Sequence, residues 1–283
     1  MTKAIVRPVL GRSLSALSLV ASLLFASTAQ ADLLDEIKAR GKLVCGTQNA
    51  SVPYGFQDPA TRSFVGYDVD ICAGIAKSLG VALEHRPLST EARIPELKLG
   101  RVDVVAGAMA YMPERAQQVD FSLQYLQGAI KVMVTKESGI RNLADLAGRK
   151  VCASKGSSSG AIASRVLPKS QVLSFQDVAS CYLGLQSGKV DGFTAGELSL
   201  KRFELDSQTK GEPVIVLPEA TYFEHIGVVV NKGNPKLLAA VNSAIEQMDK
   251  SGALSRTFDK WLGEQSIYKL KRDFKVEPVD KAS

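Results

Sequence analysis

GRVDVVAGAMAYMPERAQQVDFS, residues 100–122, sets out a strand, a tight loop and a helix start in that order. Gly100 opens it, the short apolar run Val102 to Ala106 reads as a strand, and Ala106 to Ala110 keeps side chains small where the chain must turn. Pro113, Glu114 and Arg115 then begin a helix. Proline suits the first helical position because its missing N–H would be unpaired there in any case. Arginine suits that turn badly, since the positive end of the helix dipole disfavours a cation by up to roughly 1 kcal/mol. An anion held jointly by the free N–H groups of the turn and the Arg115 guanidinium would account for it. A solvated arginine paired with Glu114 or Asp120 is the alternative.

Working outward, helices alternate with short apolar strands, which argues for an α/β layer fold with a largely parallel sheet. A helix over Leu33 to Arg40 ends at Gly41, a buried strand follows over Lys42 to Gly46, and a turn-rich loop runs from Thr47 to Pro59. The next helix covers Asp68 to Leu79, then come a strand at Val81 to Arg86 and a helix at Arg93 to Leu99. Arg93, beside Ile94-Pro95 at a helix start, repeats the anomaly of Arg115, and two arginines at one cleft would suit a ligand with two acidic groups. Tyr54 and Phe56, in the loop after the first strand, are candidates to flank a ligand or to fill the core.

An internal echo points to two related lobes. Leu97-Lys98-Leu99-Gly100-Arg101-Val102-Asp103 recurs as Leu185-Gln186-Ser187-Gly188-Lys189-Val190-Asp191, and LVCG at Leu43 is echoed by KVCAS at Lys150. The apolar segments Gly128 to Glu137 and Ile226 to Val230 are placed to carry the chain between lobes. Two crossings make a hinge, and a cleft between hinged lobes commonly holds a small ligand. Helices at Pro235 to Ser251 and Leu254 to Leu262 would return to the first lobe, with the tail from Ile267 across its surface.

Residues 1–31 read as a secretory leader: Lys3, Arg7 and Arg12 precede the apolar run Leu14 to Phe25, and small residues end at Ala29-Gln30-Ala31. Asp32 would begin the mature chain, with no cysteine there for a lipid anchor, and an exported, periplasmic protein is expected. The leader holds three of the 35 Lys and Arg and none of the 29 Asp and Glu, so residues 32–283 carry 32 minus 29, or +3, too little to argue for nucleic acid. In an oxidising compartment the four cysteines suggest disulfides. Cys72 shares a helix face with Val69, Ile75 and Leu79 just after the strand holding Cys45, and Cys181 stands likewise to Cys152, which favours the pairs Cys45–Cys72 and Cys152–Cys181 over other pairings or buried free thiols.

The sequence has no G-x-S-x-G elbow, no Walker loop and no CxxC or HExxH spacing, so no catalytic residue, metal or cofactor is expected. His85 and His225 are its only histidines and read as structural or surface groups. Lys155-Gly156-Ser157-Ser158-Ser159-Gly160, after a strand and before a helix, reads either as an anion-binding nest or as a hydrophilic turn with an N-cap serine.

From Asp32 to about Gly263 the chain resembles the periplasmic polar amino acid-binding proteins of ABC transporters, the family 3 extracellular solute-binding proteins. SVPYGFQD, VGYDVDICAGIAKSLGV, RIPELKLGRVDVVAGAM, MPERAQQVDFS, LADLAGRKVCASKGSSSG, LGLQSGKVDG and HIGVVVNKGNP carry the resemblance. It implies the two-lobed periplasmic binding protein fold (type II) with two hinge strands, lobe 1 being residues 32–124 plus 227–283 and lobe 2 residues 125–226. It also implies a monomeric receptor that captures a small carboxylate, a polar or acidic amino acid, and hands it to a membrane permease. Arg115 falls where the family's arginine grips the ligand α-carboxylate, Arg93 matches the arginine of RIP, and Gln48, Ser51, Tyr54 and Thr90 fall on the cleft. Ser157 and Ser158 match the second-lobe loop that touches the carboxylate, and SVPY with the non-aromatic Thr90 is closest to the glutamate and aspartate binders. Two departures stand out. Ala108-Met109-Ala110 replaces the usual Gly and Thr, and Gly196-Glu197 replaces an aspartate pair whose first member takes the ligand ammonium. Either Glu197 reaches in instead, or the ligand has no amino group there. A cyclohexadienyl (prephenate/arogenate) dehydratase on the same fold, with Glu197 or Glu224 as acid, is the alternative reading.

Overall fold

A computed structural model describes residues 1–4, 32–208 and 213–281, so the apolar run of the expected leader and its site at Ala29-Gln30-Ala31 lie outside the described residues. The chain runs α1 (Leu33–Arg40), β1 (Lys42–Gln48), β2 (Ala50–Ser51), β3 (Gly55–Gln57), β4 (Phe64–Val65), α2 (Tyr67–Leu79), β5 (Ala82–Leu88), α3 (Arg93–Lys98), β6 (Val104–Val105), α4 (Pro113–Ala116) and β7 (Val119–Thr135). It continues through β8 (Lys150–Ser154), α5 (Ser158–Val166), β9 (Gln171–Phe175), α6 (Val178–Gln186), β10 (Gly192–Gly196), α7 (Glu197–Gln208), β11 (Val214–Val216), β12 (Tyr222–Asn231), α8 (Pro235–Lys250) and α9 (Ala253–Leu262).

Eight strands follow the order β5-β1-β6-β12-β7-β10-β8-β9, with β11 on the side of β7, while β2, β3 and β4 form a small sheet of their own. The pairs β1 with β5, β1 with β6, β8 with β9 and β8 with β10 are parallel, as the alternation of helices and strands requires. The two long strands pair antiparallel and carry the chain across. The start of β7 lies against the end of β12 beside β6, and its end lies against β10 and β11. Both crossings are longer than the apolar runs indicate: α4 is a single turn, so β7 already starts at Val119, and β12 starts at Tyr222.

The core follows the same division. One cluster packs α2, α8 and α9 on β1 and β6 around Tyr67, Ile71, Val104 and Phe258, and a smaller one lies on the opposite face around Leu97, Val105 and Val229. Beyond the crossing, Phe193, Cys181, Leu185 and Leu200 make a third cluster, and Val132, Leu146, Val151 and Ala163 a fourth. Each half thus has helices on both faces of its sheet, the arrangement that buries parallel strands completely.

The sequence echo is a structural repeat. Gly100 and Gly188 both take left-handed backbone, with φ of 67° and 68°, where a side chain would be strained. Three residues later the aspartates act alike. Asp103 accepts the Val44 N–H at 2.7 Å while its own N–H donates to the Val44 carbonyl, and Asp191 does the same with Lys150, at 2.9 Å. In each half, then, an aspartate after a helix-ending glycine pins the next strand to its neighbour. Each half also carries one strand-to-helix disulfide, Cys45–Cys72 from β1 to α2 and Cys152–Cys181 from β8 to α6. The tail closes over the first crossing, where the Gln124 N–H and side-chain amide donate to the carbonyls of Glu277 and Lys275.

Candidate ligand cleft

The loops at the ends of β1, β5 and β6 face the loop between β8 and α5, and a polar cavity lies between them. Gln48, Ser51, Tyr54, Thr90, Arg93 and Ala108 line it from one side, and Ser157 and Ser158 from the other. Sequence reasoning singled out all eight. Around them the cavity adds Ser154, Ser159, Ala195, Gly196, Ser199 and Glu224. Of these, Gly196 was legible only as a departure and Glu224 only as a possible acid, while the serines are residues that any turn or helix start can carry. Arg115 and Ala110 are not among the lining residues, although Arg115 bonds the facing loop at Gly156, and Phe56 is edge-on to Trp261.

The arginines are built in by backbone carbonyls. Arg93 is 3% exposed and donates from Nε to Thr90 at 2.7 Å and from one terminal nitrogen to Gly107 at 2.5 Å. Its other terminal nitrogen reaches across to the Gly156 carbonyl at 3.3 Å. Arg115, 9% exposed, donates to the Ala110 carbonyl at 3.0 Å and to the same Gly156 carbonyl at 3.1 Å. The helix-start account of Arg115 therefore changes. A one-turn α4 whose N–H groups at Arg115, Ala116 and Gln117 already bond within the turn offers little dipole, and the Ala110 carbonyl holds the guanidinium instead. Burial, with Arg115 close by, lowers Arg93 to about 9, so it stays charged at neutral pH. Burial lowers Arg115 too, and the charge of Glu224 opposes that.

On the facing side Ser157 is the N-cap serine of α5 and also lines the cavity. Its hydroxyl caps α5 by accepting the Gly160 N–H at 3.4 Å and donates to the Ser154 carbonyl at 2.6 Å, while the residue lines the cavity. The Ser158 hydroxyl donates to the Glu224 carboxylate, and the buried Ser154 hydroxyl has no hydrogen-bond partner among the described residues. Tyr54 has its pKa raised by burial and then by Glu224, which keeps its hydroxyl neutral. Glu197 turns away. It pairs with Lys131 at 2.7 Å, is 44% exposed, and does not line this cavity.

Gln48 and Thr90 are locked together, the Thr90 hydroxyl donating to the Gln48 side-chain oxygen at 2.8 Å and the Gln48 amide donating to Gly107 at 3.2 Å. The histidines lie outside, His85 against the Thr47 hydroxyl at 2.8 Å and His225 against the Gln124 side chain at 3.0 Å. Among the described residues no group of three or more His, Cys, Asp and Glu is placed to hold a metal ion, and no helix is long and apolar enough to cross a membrane.

Two α/β halves, two crossing strands and a polar cavity between the halves define a solute-binding protein. The chain belongs to the bacterial extracellular solute-binding proteins, family 3, whose sequence pattern matches residues 43–264. It is 31% identical over 250 residues to the L-cystine-binding protein TcyJ of Escherichia coli (strain K12), covering 88% of this chain and 92% of that one. An L-glutamate/L-aspartate-binding protein of Pseudomonas aeruginosa is 26% identical over 263 residues, covering 88% of this chain and 87% of that one. Among solved structures, an ancestral arginine-binding protein bound to arginine superposes with a TM-score of 0.73 at 34% identity, covering 79% of this chain and 99% of that one. These relatives are amino acid-binding proteins by name, and this chain shares their family and their fold.

Proposed function

We propose that this chain is a periplasmic receptor that captures a small carboxylate, a polar or acidic amino acid, between two lobes and delivers it to the permease of its transporter. Lobe 1 is residues 32–124 plus 227–283 and lobe 2 residues 125–226. The observation that carries the reading is the convergence of two buried guanidinium groups, Arg93 and Arg115, on one acceptor from the facing loop, the Gly156 carbonyl. A carboxylate offers two charged acceptors where the carbonyl offers one neutral oxygen, so a ligand carboxylate competes for the same N–H groups on favourable terms. The dry surroundings strengthen that pairing relative to water. Ser157, Ser158 and the unpartnered Ser154 hydroxyl supply further hydrogen bonds. With Ala108 and Ala110 beside Arg115, the carboxylate is held with few hydroxyls from lobe 1.

The test is a thermal-shift panel of L-amino acids, dicarboxylates and deaminated analogues, because a ligand bound only by the folded state raises its stability by RT ln(1 + [L]/Kd). An L-amino acid is expected to give the largest shift. Calorimetry on Arg115→Ala and Arg93→Ala should then show affinity lower by roughly ten- to a hundredfold, the worth of a hydrogen bond to a charged group. Undiminished affinity in both variants would sink the carboxylate assignment.

A further inference from the structure

Glu224 lies on β12 where the chain recrosses, 8% exposed, and faces the cleft. Among the described residues its carboxylate takes one hydrogen bond, from the Ser158 hydroxyl, and enters no ion pair. The nearby cations are otherwise engaged. Arg93 gives its N–H groups to the carbonyls of Thr90, Gly107, Ala108 and Gly156, Arg115 to those of Ala110 and Gly156, and Lys131 binds Glu197 outside the cavity. Arg93 and Arg115 act on the Glu224 charge from a distance but neither makes an ion pair with it, so burial still raises its pKa, and a buried carboxylate without a cation in direct contact is expensive. A second polar group of the same cavity is also short of a partner, the buried Ser154 hydroxyl.

We infer that Glu224 is the cation-binding group of the cleft and holds the ammonium of a zwitterionic amino acid whose carboxylate lies against Arg93 and Arg115. The inference rests on reading the cleft as an amino acid site. It assigns the two poles of the ligand to different places: the negative pole to the arginines, the positive pole to the crossing strand beside Tyr54 and Ser158. Glu197, paired to Lys131, is free of that duty. Gly196 supplies a check, because it lines the same cavity and a Cβ built there meets only the Tyr54 hydroxyl, at an ordinary 3.4 Å. The first atom of a side chain therefore meets no backbone at residue 196.

Calorimetry on the full chain with L-glutamate and glutarate, and with L-glutamine and its deaminated analogue, tests this alongside the wider L-amino acid panel. Wild type should prefer the aminated member of a pair by at least about tenfold, the worth of a charged hydrogen bond. Glu224→Gln should erase that preference while leaving the affinity for the deaminated member within a few-fold. Glu224→Asp should fall between, and Gly196→Asp added to Glu224→Gln should restore preference for the amine. Circular dichroism melts confirm that each variant folds. A preference that survives in both Glu224 variants, or equal losses for amine and deaminated analogue, would overturn the inference while leaving an amino acid receptor intact. A wild-type chain that binds no L-amino acid at millimolar concentration overturns the receptor reading and this inference with it.

Discussion

Asp68, at the start of α2, shows how far the influence of the cleft reaches into the core. It is fully buried and accepts a hydrogen bond from the Tyr125 hydroxyl at 2.7 Å. Burial raises its pKa to about 7, against the opposing pulls of Tyr125, the Ala108 N–H and the Arg93 charge. The folded state thus binds a proton between about pH 4 and 7 that the unfolded chain has released. The resulting stabilisation is complete below the unfolded pKa and is lost as pH rises through 7. Asp68→Asn, which cannot titrate, should therefore gain on wild type as pH rises from 5 to 8, read as the difference between their urea midpoints. A difference constant with pH would show that Asp68 is ionised throughout. At this scale the sequence exposed Arg93 and Arg115 through their awkward places at helix starts, although for Arg115 a carbonyl rather than the dipole explains the position. Glu224 stayed hidden as a ligand group for a physical reason. One acid at the head of an apolar strand looks like a solvated strand end, and it is buried by residues far from it in sequence, such as Tyr54 and Ser158, that share its cavity.

Among the elements, the paired units β1 with α2 and β8 with α6 were the most legible, because apolar periodicity, cysteine spacing and helix-ending glycines all agree there. Strand ends were legible only roughly. The sequence offers a strand over Val102 to Ala106, yet only Val104 and Val105 pair on both sides, since the neighbouring residues bend away to build the loop that holds Arg93. The two disulfides close segments with sequence separations of 27 and 29. For loops of that size the chain-entropy account gives about 2–4 kcal/mol each. Removing either pair as Cys→Ser should lower stability by that amount in urea titrations. The two losses should add, because the bonds sit in separate clusters with no shared partner. A double variant losing much more than the sum would mean that the halves unfold as one tightly coupled unit.

Across the whole molecule, Gly156 stands where the two halves meet beside the cavity. Its carbonyl takes the two arginines, while beside it Lys155 pairs with Glu91 at 2.7 Å and the Gln176 amide donates to Glu91 at 3.2 Å. The lysine of that pair is 61% exposed, so water and salt screen the pair and it cannot hold the halves together alone. The close approach is a matter of shape. Gly156 has φ of 74°, and a Cβ there would stand 2.7 Å from the Glu91 Cα and 3.2 Å from its backbone nitrogen, atoms that cannot swing aside. Gly156→Ala should act as a wedge that keeps the loop after β8 from seating against the loop before α3. Left-handed backbone adds roughly 1–2 kcal/mol of local strain, which the fold survives. Small-angle scattering should then give a larger radius for the variant than for wild type. Ligand affinity should fall at least about tenfold, since the apparent constant scales inversely with the fraction of molecules able to seat the loop. Glu91→Gln removes the rim ion pair without a wedge and should change affinity by no more than about fivefold. If Gly156→Ala scatters and binds as wild type does, the halves close around the ligand along some other line of contact.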